Sequence, residues 1–308
     1  MTRRRGTQKG WILALSLLAI IGWTGLAAAA EYARPELFIT TDELAGLPGK
    51  PETKILDVRG TEAYKAGHIP GALSLPRQHT QYRERGVPDL MAPVENLEES
   101  LGKLGIRPTD TLVLYDETAS LEVARVFWTA DVLGHAKVRI LNGGMSKWAK
   151  ERRPISKDTP AVTSASYKAK PDWTKFADAA YVMANLKNPK AAIVDSRTSR
   201  EWSGQVASMA VRSAGRIPGA TNLDSDLTLT SEGGTKLLTS AGELAKLLEG
   251  AGAKKDKEII VYRRTGVRAS ANYLALKLLG YPKVRVYDAS MIDWGNRPEL
   301  PIEKSAKN

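Results

Sequence analysis

Val261-Tyr262-Arg263-Arg264-Thr265-Gly266-Val267-Arg268 joins two different periodicities. The run from Ile259 to Tyr262 is unbroken and apolar, as a parallel strand buried on both faces requires. From Ala269 to Leu279 the pattern changes, and Val267, Ala271, Leu274, Ala275, Leu278 and Leu279 recur at helical spacing. The order strand, short loop, helix predicts an α/β fold. It also aims consecutive loop N–H groups from the positive end of a helix dipole, a ready anion site to which Arg263, Arg264 and Arg268 add charge.

Working outward, the same strand-and-turn units occur twice. Ile55-Leu56-Asp57-Val58-Arg59 returns as Ile193-Val194-Asp195-Ser196-Arg197, and His68-Ile69-Pro70-Gly71-Ala72 as Arg216-Ile217-Pro218-Gly219-Ala220. Leu112 to Tyr115, with a helix ending near Gly134, corresponds to Ile259 to Tyr262 with a helix ending at Gly280, and Val138 to Trp148 corresponds to Val284 to Trp294. A repeat of this length marks two tandem copies of one module. Each alternates Val/Ile/Leu-rich strands with helical stretches, which predicts a parallel sheet with helices on both faces. The expected boundaries are a targeting segment at 1–30, a first domain at 31–155, a linker at 156–172 over the surface of both domains, a second domain at 173–304 and a tail at 305–308, with the charged stretch after Pro301 expected to fray.

The loop at 263–268 resembles the active-site loop of the rhodaneses, or thiosulfate sulfurtransferases, which reads Cys-Arg-x-Gly-x-Arg. Arg264, Gly266 and Arg268 match, and Arg263 stands where that family has its cysteine. The resemblance extends over roughly residues 36 to 303 and implies two tandem rhodanese-like domains. In the family the thiolate takes the outer sulfur of thiosulfate as a persulfide and passes it to cyanide or a thiol. The chain has no cysteine, so no residue can take that part and none is assigned as catalytic. What the resemblance leaves is a site for a sulfur-containing or other oxyanion at Arg263, Arg264, Thr265, Gly266, Val267 and Arg268, with Arg197 and Arg200 guiding the anion. Asp195 and Trp294 lie near it as structural residues, Trp294 at the border of an inter-domain pocket, and a protein thiol is the implied acceptor. Some tandem sulfurtransferases carry an Arg just before the aromatic at Trp202; this chain has Glu201, which weakens the link to thiosulfate.

The first copy replaces the basic loop by Asp116-Glu117-Thr118-Ala119-Ser120, whose carboxylates satisfy the helix start from within and repel an anion. The resemblance makes this copy the non-catalytic partner. In the second copy Arg263 faces N–H dipoles of its own sign, so its side chain is expected to turn outward or to bring an anion in. His68, replaced by Arg216 in the other copy, is read as part of the fold. His79 and His135 have no ligand spacing, so no metal or cofactor is expected. Gly143-Gly144 before Trp148 is matched by Asp288-Ala289-Ser290 before Trp294, where Ala289 departs from the family's Gly.

Arg3, Arg4, Arg5 and Lys9 precede an apolar stretch from Trp11 to Leu26 and the small residues Ala28 and Ala30, the pattern of a signal peptide cleaved after Ala30. An uncleaved anchor is the alternative, because about 20 apolar residues span a bilayer. Either reading exports the globular part, to the periplasm or outside, and only the anchor brings a membrane partner. Loss of residues 1–30 removes four positive charges and lowers the net charge from +11 to +7. The basic residues are dispersed and aromatics make up only 6%, which argues against nucleic acid. The expected function is oxyanion binding without a persulfide. A working sulfurtransferase and a non-catalytic scaffold stand as alternatives; a phosphatase built on Thr265 lacks a visible general base.

Overall fold

A computed structural model describes residues 32–47, 49–118, 121–232 and 235–305. The expected targeting segment, Ala119 and Ser120 of the first loop, and positions 306–308 lie outside the described residues. In the first half β1 (Phe38–Ile39), α1 (Thr41–Ala45), β2 (Thr53–Asp57), α2 (Thr61–Ala66) and β3 (Leu73–Ser74) lead to a hairpin, β4 (Gln81–Glu84) and β5 (Val87–Met91). Then come α3 (Val94–Lys103), β6 (Thr111–Tyr115), α4 (Leu121–Val132), β7 (Val138–Leu141) and α5 (Gly144–Lys150). The second half repeats the order with β8 (Phe176–Ala177), α6 (Ala179–Asn185), β9 (Ala191–Asp195), α7 (Ser199–Ser203), β10 (Thr221–Asn222) and a hairpin of β11 (Leu229–Glu232) and β12 (Thr235–Leu238). It closes with α8 (Ala241–Gly250), β13 (Glu258–Tyr262), α9 (Gly266–Leu278), β14 (Val284–Tyr287) and α10 (Ser290–Trp294).

Each half builds one five-stranded parallel sheet, ordered β1-β7-β6-β2-β3 and β8-β14-β13-β9-β10, so the internal repeat in sequence is a repeat in topology. The central strands β6 and β13 are buried from their second residue onward, as unbroken apolar runs demand. Their registers place Tyr115 beside Asp57 and Tyr262 beside Asp195.

The two halves meet along α4 and α9. Nine of the twelve residues of α4 and eleven of the thirteen of α9 are buried. A helix buried on nearly every side needs packing all round, and each supplies it for the other. One apolar cluster therefore runs through both domains, from Leu56, Leu114 and Phe127 to Val194, Val261 and Leu274. The start of the described chain also crosses between domains: Tyr32 is buried with its hydroxyl donating to the Thr239 carbonyl, and Arg34 N–H donates to Leu278 O at 3.0 Å.

Two expectations about the connections are corrected. The linker does not run loosely over both domains; it is strapped to the first. Ser156 pairs with His68, Ala165 N–H reaches Gly102 O at 2.9 Å, Lys170 N–H reaches Leu133 O at 3.1 Å, and Tyr167 is buried with its hydroxyl on His135 Nδ1. Gly134 does more than end α4 in a left-handed turn, since a Cβ there would collide with the Lys170 carbonyl. The stretch after Pro301 is held as far as Ser305, because Glu303 pairs with Arg216 through both backbone hydrogen bonds and accepts from Gly219 N–H at 2.7 Å.

Candidate functional site

Both copies share one buried network at the end of the central strand. Arg197 forks onto Asp195, with Nη2 to Oδ2 at 2.6 Å, and its Nη2 also donates to Gly215 O at 2.7 Å. Tyr262 donates to the same carboxylate at 2.7 Å and accepts Ile217 N–H at 3.2 Å. The first copy repeats this with Arg59, Asp57, Gly67, Tyr115 and Ile69. The tyrosine closes the circuit between Asp-x-Arg and the Ile-Pro-Gly-Ala turn. Burial and the adjacent carboxylate push both phenols well above their ordinary value, so they stay protonated donors. The recurrence of Tyr at the end of both strands is the sequence signal for this role, one that matching the loop motif alone passes over.

The same network corrects the expectation for Arg197. Its side chain is fully buried and committed to Asp195, Gly215 and Ser208, so it holds the strand end and cannot guide an anion from solvent. Asp195 is buried and accepts from both Arg197 and Tyr262. Arg200 is exposed on α7. Glu201 belongs to a capping box with Thr198 and accepts from the Ser208 hydroxyl. Burial would raise its carboxyl, but Ser208, Thr198 and the Arg197 charge outweigh that and hold it below the ordinary value. Trp294 is also corrected: it is completely buried in the second domain's own core, edge-on to Tyr287, with Nε1 donating to Pro301 O at 2.8 Å. Trp148 does the same with Pro154 O, so neither indole borders a pocket between domains. His68 stacks on Tyr64 and bonds Tyr64 O and Asp158 O, the fold role expected of it.

Beyond the strand ends the two copies diverge. Met145 N–H donates to Asp116 O in the first copy, and Met291 N–H donates to Arg263 O in the second, which makes Asp116 and Arg263 equivalent. Asp116 caps its own loop and helix: Oδ1 accepts Thr118 N–H at 2.9 Å and Oδ2 accepts Val123 N–H at 3.2 Å. Glu117, one residue on, pairs with Arg59. In the second copy both carboxylates are replaced by arginine. Thr265 occupies the N-cap of α9 without a side-chain capping bond. Among the described residues, only Gly266 of the loop N–H groups from Arg264 to Arg268 has an acceptor, the Asp288 carbonyl at 2.8 Å.

Arg263 turns neither freely outward nor into a vacant cradle. It is half-buried, and its Nε donates to Ser196 O at 3.1 Å at the end of the neighbouring strand. Burial, and then the positive charge of Arg268, push its guanidinium below the ordinary value, with Glu201, Asp224 and Asp226 acting the other way from beyond contact distance. Arg264 is half-buried and Arg268 exposed. Among the described residues none of these three guanidinium groups is in an ion pair. Three cationic residues thus flank the positive end of a 13-residue helix.

Comparison with known proteins agrees with this geometry. Residues 40–151 and 178–297 each match the family described as the rhodanese-like domain. A thiosulfate sulfurtransferase of Azotobacter vinelandii is 33% identical over 273 residues, covering 89% of this chain and 99% of that protein. A sulfur carrier protein, TtuD, of Thermus thermophilus is 35% identical over 288 residues, covering 89% of this chain and 98% of its own length. Among solved structures, the anaerobic ergothioneine biosynthesis enzyme of Chlorobium limicola superposes with a TM-score of 0.79 at 24% identity, over 89% of this chain and 72% of that one, a likeness of fold.

Proposed function

The chain belongs to the rhodanese-like family through both of its halves, and on that premise we propose that it binds thiosulfate or a related divalent oxyanion at Arg263 to Arg268 without passing sulfur through a covalent intermediate. The observation that carries this reading is the positive charge of the loop, which no ion pair among the described residues takes up. Arg263 and Arg264 stand just before the start of α9 and Arg268 in its first turn, where the first copy places the carboxylates Asp116 and Glu117 before its own helix. Amides at a helix start and guanidinium forks are the donors that recognise tetrahedral oxyanions. A cysteine persulfide requires a cysteine, and the sequence has none. In the relatives called thiosulfate sulfurtransferases, the chemistry of that name gives thiosulfate first place among the ligands to try. Export by the segment at 1–30 belongs to the same proposal and puts the protein where small sulfur oxyanions arrive from outside.

The test pairs binding with turnover. Thiosulfate and sulfate should each raise the melting temperature of the protein, and Arg264→Ala should abolish the rise. Thiosulfate:cyanide sulfurtransferase activity should be absent as the protein stands and should appear in Arg263→Cys. Thiocyanate production by the unmodified protein overturns the proposal in favour of an active sulfurtransferase. Indifference of the protein and its Arg264→Ala variant to both anions favours a scaffold.

A further inference from the structure

We propose that Arg125, which belongs to the first domain, is a positioning residue for the arginine loop of the second, acting through Asp288; the binding part of the proposal rests on the anion reading above. Arg125 lies on α4 and is completely buried, as is the Asp288 side chain to within 1%. Its Nη1 donates to Asp288 Oδ1, its Nη2 donates to Asp89 O at 2.8 Å, and its guanidinium stacks 4.5 Å from the centre of the Trp128 ring. The other Asp288 oxygen accepts Met91 N–H at 2.7 Å, so one carboxylate of the second domain takes donors from both α4 and the β4–β5 hairpin of the first.

Asp288 is also part of the wall against which the loop is built. Its carbonyl accepts Gly266 N–H at 2.8 Å, the hydroxyl of Ser290 accepts Arg263 N–H at 3.2 Å, and the N–H groups of Met291 and Ile292 reach the carbonyls of Arg263 and Arg264, each at 3.0 Å. The segment from Asp288 to Ile292 therefore fixes the path of Arg263, Arg264 and Gly266. Gly266 leaves no slack in this arrangement. A Cβ placed there would overlap Asp288 Oδ1 and lie 2.9 Å from Arg125 Nη1, so the backbone of the loop rests directly on the inter-domain ion pair. A shift of that pair must move the loop amides, because densely packed neighbours cannot absorb it.

A second polar link between the domains separates positioning from plain adhesion. Tyr273 donates to Asp131 at 2.6 Å, about two turns further along α9 than Gly266. The experiment measures sulfate affinity by calorimetry, and amide ¹⁵N–¹H shifts of Arg264 to Arg268 without anion, in the unmodified protein, Arg125→Met, Arg125→Lys, Asp288→Asn and Tyr273→Phe. Arg125→Met and Asp288→Asn should weaken sulfate at least ten-fold and move the loop amides, and Arg125→Lys, which keeps a cation beside Asp288, should recover part of the affinity. Tyr273→Phe should lower the melting temperature while leaving affinity within two-fold and the loop amides in place. Arg125→Lys and Asp288→Asn decide the matter if Arg125→Met does not fold. Unmoved loop amides in the Arg125 and Asp288 variants overturn the proposal, as does unchanged sulfate affinity beside a lowered melting temperature. If the unmodified protein binds no anion, the anion reading fails by itself, and the amide shifts alone confirm or overturn the positioning role.

Discussion

A methyl group added in place of glycine within a helix ordinarily helps, by at most about 1 kcal/mol. Gly266 reverses that sign. Its missing Cβ is the space into which Asp288 Oδ1 and Arg125 Nη1 are packed, and neither partner can yield, since both are buried and each is held by further hydrogen bonds. Gly266→Ala has to part a buried ion pair, a loss of roughly 3–5 kcal/mol against the propensity gain of about 1, so a net destabilisation of roughly 2–4 kcal/mol is expected. Urea unfolding measures it, and a neutral or stabilising Gly266→Ala refutes the argument. Nearby, Ser290 adopts φ 53, where the first copy has Gly144 at φ 56. The left-handed region costs a residue with a side chain roughly 1–2 kcal/mol. Its hydroxyl offsets that by donating to Tyr287 O at 2.7 Å and accepting Arg263 N–H, a pair of bonds glycine cannot make.

At the scale of elements, one strand-loop-helix unit occurs in two electrostatic versions. Asp116 caps its loop and α4 with a carboxylate; Arg263 leaves the leading amides of α9 open and adds a like charge to them. Copying the first solution into the second tests whether the difference is about binding. Arg263→Asp should stabilise the protein by about 0.5–2 kcal/mol, the range of a helix cap, and should remove its thermal response to sulfate. A variant that kept the sulfate response would show that the anion is held elsewhere. The strand, the loop, the helix and their duplication were legible in the sequence because each depends on residues a few positions apart. The site was legible only as a set of matched letters. Arg197 looked like a ligand from its place beside the loop, but its partner Ser208 lies eleven positions away outside the repeated units, and Gly215, eighteen positions away, belongs to the repeated turn without its letters saying that its carbonyl faces the arginine. The linker failed for a similar reason, since Pro, Ser and Lys read as solvated chain while Tyr167, in their midst, is the buried residue that straps it down.

Across the whole molecule, long-range pairs decide how the two copies behave. Arg125 and Asp288 are 163 residues apart, and Tyr32 and Thr239 are 207 apart, beyond the reach of any periodicity or motif. Together with the apolar cluster shared by α4 and α9, they make the exposure of one domain's core inseparable from exposure of the other's. An anion bound only by residues of the second domain must then stabilise the first as well. With ligand at a hundred times its dissociation constant, the linkage is about 2.7 kcal/mol, and a single cooperative unit gains it everywhere. Hydrogen exchange in moderate denaturant, read by mass spectrometry on peptides from 40–151 and 178–297, should show equal opening free energies in the two halves and equal increases of that size on adding saturating sulfate. Protection confined to 178–297 would mean that the halves open independently, and that the ion pair beneath Gly266 joins two units without making them one.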